Sequence, residues 1–142
     1  MGRAGSDAAM TESDDRLTLS RARRIVRKGD FERARAARCA AGDSRLLVYV
    51  LPNGRSHPRV GLAVGRRHGK AARRNRLRRL LREAFRLEQH SLPAGFDYLL
   101  VPRPATHPDL AAFRRSLLRL GPEALRRWHL RQGGGQAPPD SR

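Results

Sequence analysis

The chain is predicted to be a small α+β domain, a sheet covered by helices, and three observations predict it. Apolar runs rich in Val, Leu and Tyr, bounded by turn residues, mark strands over 46–51, 59–65 and 98–101. Leucines at helical spacing mark one helix between the second and third strands and another after the third. The length of 142 residues suits one modest core with short flanking segments. Segments without periodicity set the borders: 1–23 is predicted to be a disordered extension, 24–130 the domain, and 131–142 a disordered tail containing Gly133-Gly134-Gly135 and Pro138-Pro139.

Taken in order, Asp30 is the predicted cap of a first helix near Phe31 that runs toward Ala40-Ala41-Gly42. The strand over 46–51 ends in the turn Pro52-Asn53-Gly54, and His57-Pro58 opens the next strand. In that strand Val60, Leu62 and Val64 share one face, while Gly61, Ala63 and Gly65 share the other. A face without bulky side chains suits either a ligand backbone in close approach or a tightly packed helix, and the sequence leaves both open. The long helix over 71–90 gathers Leu77, Leu80, Leu81, Ala84 and Leu87 on one side, with Phe85 at the margin. Leu92-Pro93-Ala94-Gly95 breaks it, and Pro102 and Pro104 close the third strand. Thr106 to Asp109 resembles a capping box for a last helix with Leu110, Phe113, Leu117 and Leu120 facing inward. Gly121-Pro122 is expected to stop or kink that helix, which resumes over 123–130.

Charge points to the partner. Thirty-one basic residues against 13 acidic ones give a formal net charge of +18, which calls for a polyanion, either nucleic acid or an anionic membrane. Only Lys28 and Lys70 are lysines; a GC-rich genome accounts for Arg in place of Lys, but not for the excess of positive charge. No apolar run approaches the roughly 20 residues that span a bilayer, and the N-terminus has no apolar signal core, so no membrane role and a cytoplasmic location are expected. The opening Met1-Gly2-Arg3-Ala4-Gly5-Ser6 matches the loose myristoylation pattern, too short a match to outweigh this.

The residues for catalysis are missing. Cys39 stands alone, which excludes an internal disulfide and a multi-cysteine zinc site, and the five histidines read as surface or loop residues. The acids of the folded region (Asp30, Glu32, Asp43, Glu83, Glu88, Asp97, Asp109, Glu123) are scattered, where a two-metal nuclease clusters carboxylates. The chain alone reads as a binder.

Binding chemistry concentrates in Arg66-Arg67-His68-Gly69-Lys70 and in the helix start that follows. From Arg73 to Arg82 there are six arginines in ten residues, and the first acid is Glu83. Like charges at helical spacing repel, and a phosphate backbone relieves that repulsion while matching each guanidinium fork. Asn75, inside the cluster, can orient neighbours or read a base edge.

The stretch His57-Pro58-Arg59-Val60-Gly61-Leu62-Ala63-Val64, the loop Arg66-Arg67, and Arg74-Asn75-Arg76-Leu77-Arg78-Arg79-Leu80-Leu81-Arg82-Glu83-Ala84-Phe85-Arg86 closely resemble the bacterial ribonuclease P protein component. The resemblance covers about 24–120 and is specific over 57–103. It implies a mostly antiparallel four-stranded sheet with three helices and a left-handed βαβ crossover through the Arg-Asn-Arg helix, an architecture similar to the second domain of a small-subunit ribosomal protein. Three strands are readable in the sequence; the fourth rests on the resemblance.

It further implies two RNA surfaces. Arg66, Arg67, Lys70, Arg73, Arg74, Asn75, Arg76, Arg78, Arg79 and Arg82 would meet the catalytic RNA. Phe31, Arg35, Tyr49 and Arg103 would meet the single-stranded 5′ leader of precursor tRNA in a cleft between the first helix and the sheet. Arg35 stands where the family often carries a second aromatic, Gly65 where it commonly has serine or alanine, and Tyr49 suits the core equally well. The implied function is that of the protein subunit of ribonuclease P. The RNA holds the active site and Mg²⁺, the reaction leaves a 5′ phosphate on mature tRNA, and no further protein partner is required. A ribosomal protein, a nucleoid DNA binder and a self-sufficient nuclease are the rival readings.

Overall fold

Alternation along the strands decides which helix lies on which side of the sheet. The computed structural model describes residues 23–25 and 28–134; residues 1–22 of the predicted extension and 135–142 of the predicted tail lie outside the described residues. In chain order the elements are α1 (Lys28–Ala37), β1 (Ala40–Gly42), β2 (Leu46–Pro52), β3 (Arg59–Leu62), α2 (Ala71–Glu88), β4 (Phe96–Pro102) and α3 (Leu110–Gly134), with 3₁₀ turns at Arg66–His68 and Gln89–Ser91. The sheet runs β1-β2-β4-β3 and is mixed: β1 with β2 and β2 with β4 pair antiparallel, β3 with β4 parallel.

One face carries the main core. Leu46, Val48 and Val50 of β2, Val60 of β3, and Tyr98 and Leu100 of β4 pack under Leu77, Leu81, Ala84 and Phe85 of α2 and Phe113, Leu117 and Leu120 of α3. The opposite face, with Leu47, Tyr49, Leu99, Val101 and Ala63, is covered only in part, by Phe31 and Ala34 of α1. The uncovered remainder of that face is where the groove described below opens.

Several local expectations are corrected. Helix α1 begins at Lys28, so Asp30 is not its cap but sits in its first turn, where a carboxylate still favours the helix dipole. It ends at Ala37, earlier than predicted, because Arg38 takes a left-handed conformation (φ 58°) that turns the chain into β1. Phe85 is fully buried rather than marginal. Asp109, not Thr106, caps α3: its Oδ1 accepts from the Ala112 amide at 3.2 Å, while the Thr106 hydroxyl donates to the Arg45 carbonyl. Helix α3 passes through Gly121-Pro122 without a break and reaches Gly134. A Cβ on Gly121 would lie 2.8 Å from Cδ2 of Leu92, so a side chain there would make Leu92 shift.

Candidate nucleic-acid interface

The groove follows from register. Tyr49, Leu99 and Gly61 form one cross-strand row, and Leu47 pairs with Val101 beside it. A Cβ on Gly61 would lie 2.8 Å from Cε1 of Phe31 and 3.0 Å from Cδ1 of Ile25, so at this position the small residue seats a packed helix. Farther along, the half-buried Ala63 and the exposed Gly65 line an open groove of about 840 Å³. The packed-helix reading thus holds at Gly61, while Ala63 and Gly65 border open space.

Lys28, Phe31 and Arg35 stand three and four residues apart on α1 and present one face to the groove. Across from them the floor is Leu47, Tyr49 and Val101, and the end wall is Arg66, Arg67 and His68. Among the described residues four cations line the groove and no carboxylate does. An apolar floor with the Tyr49 ring, faced by the Phe31 ring of α1 and flanked by cations, suits a flexible polyanion whose bases stack while its phosphates meet guanidinium groups.

Phe31, Arg35 and Tyr49 thus come together as expected. Arg103 does not join them: its Nε donates to the Asp43 carbonyl at 3.0 Å and its guanidinium lies over Gly42. Arg66 and Arg67 fall on the groove rather than on the α2 face. Lys28 was missed because the helix was expected to start two residues after it.

The loop between groove and helix is built around a buried histidine. Of the surface-or-loop reading of the histidines, only the loop holds for His68, which is 1% exposed. Its Nδ1 accepts from the Gly65 amide at 2.9 Å, which leaves Nε2 to donate to the Pro102 carbonyl at 2.7 Å. Gly69 follows at φ 108°, a conformation that favours glycine. Arg73 then donates to the carbonyls of His68, Pro104 and Thr106 at 2.9, 2.9 and 2.6 Å. It is a brace between α2 and the segment after β4, with little left for RNA.

Lys70, just before α2, and Asn75, Arg76, Arg79 and Arg82 on it are exposed. Arg78 is steered by Asn75 Oδ1 and by the Val64 carbonyl, both at 3.0 Å, which gives Asn75 an orienting task. Arg74 is half-buried, and its Nε has no hydrogen-bond partner. A buried donor without a partner costs free energy.

Residues 19–124 match the family profile Ribonuclease P. The chain belongs to the ribonuclease P protein family. It is 38% identical over 112 residues to the ribonuclease P protein component of Chlamydia trachomatis serovar D, covering 78% of this chain and 92% of that one. Against the component of Methylococcus capsulatus it is 40% identical over 99 residues, 68% of this chain and 77% of the other. The ribonuclease P protein of Thermotoga maritima superposes with a TM-score of 0.60 at 31% identity, over 68% of this chain and 92% of that structure. That of Staphylococcus aureus gives 0.61 at 27% identity, over 69% and 91%. The chain is a protein component of ribonuclease P, and its expected partner, the ribonuclease P RNA, follows from that membership.

Proposed function

We propose that this ribonuclease P protein holds the catalytic RNA on α2 and the 5′ leader of precursor tRNA in the groove, assisting Mg²⁺-dependent removal of the leader in the cytoplasm. The observation that carries this reading is the groove itself: Phe31, Tyr49, Lys28, Arg35, Arg66 and Arg67 converge there, with no carboxylate among the described residues that line it. Its end wall is the same loop that starts the arginine-bearing helix, so two RNA strands held on these surfaces would lie side by side. Neutralising both lowers the cost of bringing two polyanions together.

Among the described residues no three His, Cys, Asp or Glu side chains gather to hold a metal. The ion, with the hydrolytic chemistry, is assigned to the RNA, and the protein's part is to bind and orient. Among the described residues no helix is long and apolar enough to cross a membrane.

The test is cleavage of precursor tRNA at low Mg²⁺ with cognate RNA alone, protein alone and both together. Correct 5′ processing with both, and little with either alone, supports the proposal. Cleavage by the protein alone, or no effect of the protein on its RNA, overturns it.

A further inference from the structure

The N-terminal segment carries an arginine that the helix reading leaves out. Ile25 donates its amide to the Val60 carbonyl at 2.7 Å and Arg24 bridges Val60 in parallel, so this segment covers the free edge of β3. Helix α2 passes over the same strand: Arg78 reaches the Val64 carbonyl, and Arg82 lies one helical turn farther on. Arg24 and Arg78 are the charges that face Arg82; with partial desolvation as the larger cause, they hold its pKa below the ordinary guanidinium value. The Nε of Arg24 is buried without a hydrogen-bond partner, and the other such side-chain atom among the described residues is Nε of Arg74, two turns from Arg82 on the same helix. None of Arg24, Arg78 and Arg82 is in an ion pair among the described residues.

Arg82 is exposed, and Arg78 is oriented by Asn75 and the Val64 carbonyl, yet no acid neutralises any of the three among the described residues. Arg24 and Arg78 act on Arg82 as like charges, and two buried Nε donors lack a partner; a phosphate chain along these guanidinium groups would offset the repulsion. We propose that Arg24 completes a phosphate-binding row with Arg74, Arg78 and Arg82, so that a phosphodiester strand of the catalytic RNA crosses from α2 onto the N-terminal segment at the β3 edge.

The proposal rests on the reading of α2 as the catalytic-RNA face, and the experiment separates the two. Affinity of the full chain for its cognate catalytic RNA is measured across salt concentrations for wild type, R24Q, R24K, R79Q and R126Q, together with the Tm of each free protein. R24Q is expected to bind about tenfold more weakly and to reduce the salt slope by about 1. R24K, which keeps the charge, should lie between R24Q and wild type. The Tm of free R24Q should stay level or rise, because repulsion with Arg82 is relieved; a residue needed only for folding would lower it. R126Q, on the exposed face of α3, should match wild type. Unchanged affinity and slope in R24Q, with a loss in R79Q, overturns the Arg24 site and leaves the α2 reading intact. A Tm several degrees lower for R24Q overturns it as well, in favour of a structural role. Loss in neither R24Q nor R79Q removes the α2 reading itself.

Discussion

Gly61 sets how deep Phe31 can sit, and that one missing side chain shapes the groove. Adding a methyl group would press on the Phe31 ring and on Ile25 at the edge of the sheet. Gly61→Ala is expected to cost about 1–3 kcal/mol of stability, as overpacking does, and to push the ring toward the groove; thermal unfolding of the variant measures it. Phe31→Ala leaves that space empty and removes a stacking surface. It should weaken precursor tRNA binding about 10- to 100-fold, at roughly 1–3 kcal/mol per stacked base, while mature tRNA binding barely changes. Equal losses for precursor and mature tRNA, measured side by side, would remove the leader from the groove. Arg73 shows the limit of reading single residues. In the sequence it is indistinguishable from Arg74, yet three backbone carbonyls claim its guanidinium, and only the folded path of 102–106 brings them there. His68 is the same case, since the carbonyl it meets lies on β4, 34 residues away.

At the scale of elements, Asp43 joins the turn between β1 and β2 to helix α3. Its Oδ1 accepts from the amides of Arg45 and Leu46 at 2.8 Å each, and its Oδ2 from the Ser116 hydroxyl at 2.7 Å and from Arg119 at 2.5 Å. Burial raises its pKa, but the Ser116 hydroxyl, the two amides and the Arg119 charge outweigh that and hold it below the usual carboxylate value. Because the folded pKa is the lower one, the stabilisation is complete above the unfolded value of about 3.9 and is lost as pH falls through the folded value. Asp43→Asn should therefore cost about 1–3 kcal/mol near neutrality. The gap in Tm between variant and wild type should close below about pH 4 as the wild-type carboxylate protonates. A gap independent of pH would mean that shape, not charge, holds the turn. Three strands, the arginine helix and its apolar stripe were legible because their periods are strong. Strand β1 was not: Ala40-Ala41-Gly42 has no alternation of its own, and it becomes a strand because Arg38 turns the chain onto the edge of β2. The groove was legible in Phe31, Tyr49 and the Gly/Ala face, whereas Arg103 was misplaced because its neighbour in space, Asp43, lies 60 residues earlier in the chain.

For the whole molecule, the same charge that binds RNA opposes folding. With +18 on a chain of 142 residues, the folded state gathers guanidinium groups that the unfolded chain spreads apart. Added salt screens that repulsion, since the Debye length falls from about 10 Å at 0.1 M to 3 Å at 1 M. It also removes the gain from releasing counterions when RNA is bound. The two effects have opposite signs: raising salt should raise the Tm of the free protein while weakening its affinity for RNA. A contact of six to ten phosphates would lose roughly 10³- to 10⁵-fold in affinity between about 50 and 200 mM salt by the rule for duplexes, and a folded RNA should follow the same direction. Thermal unfolding and RNA titration over one salt series measure both. If stability fell with salt along with affinity, the arginines would be serving the fold through ion pairs, and the crowding on α2 would need another cause than RNA.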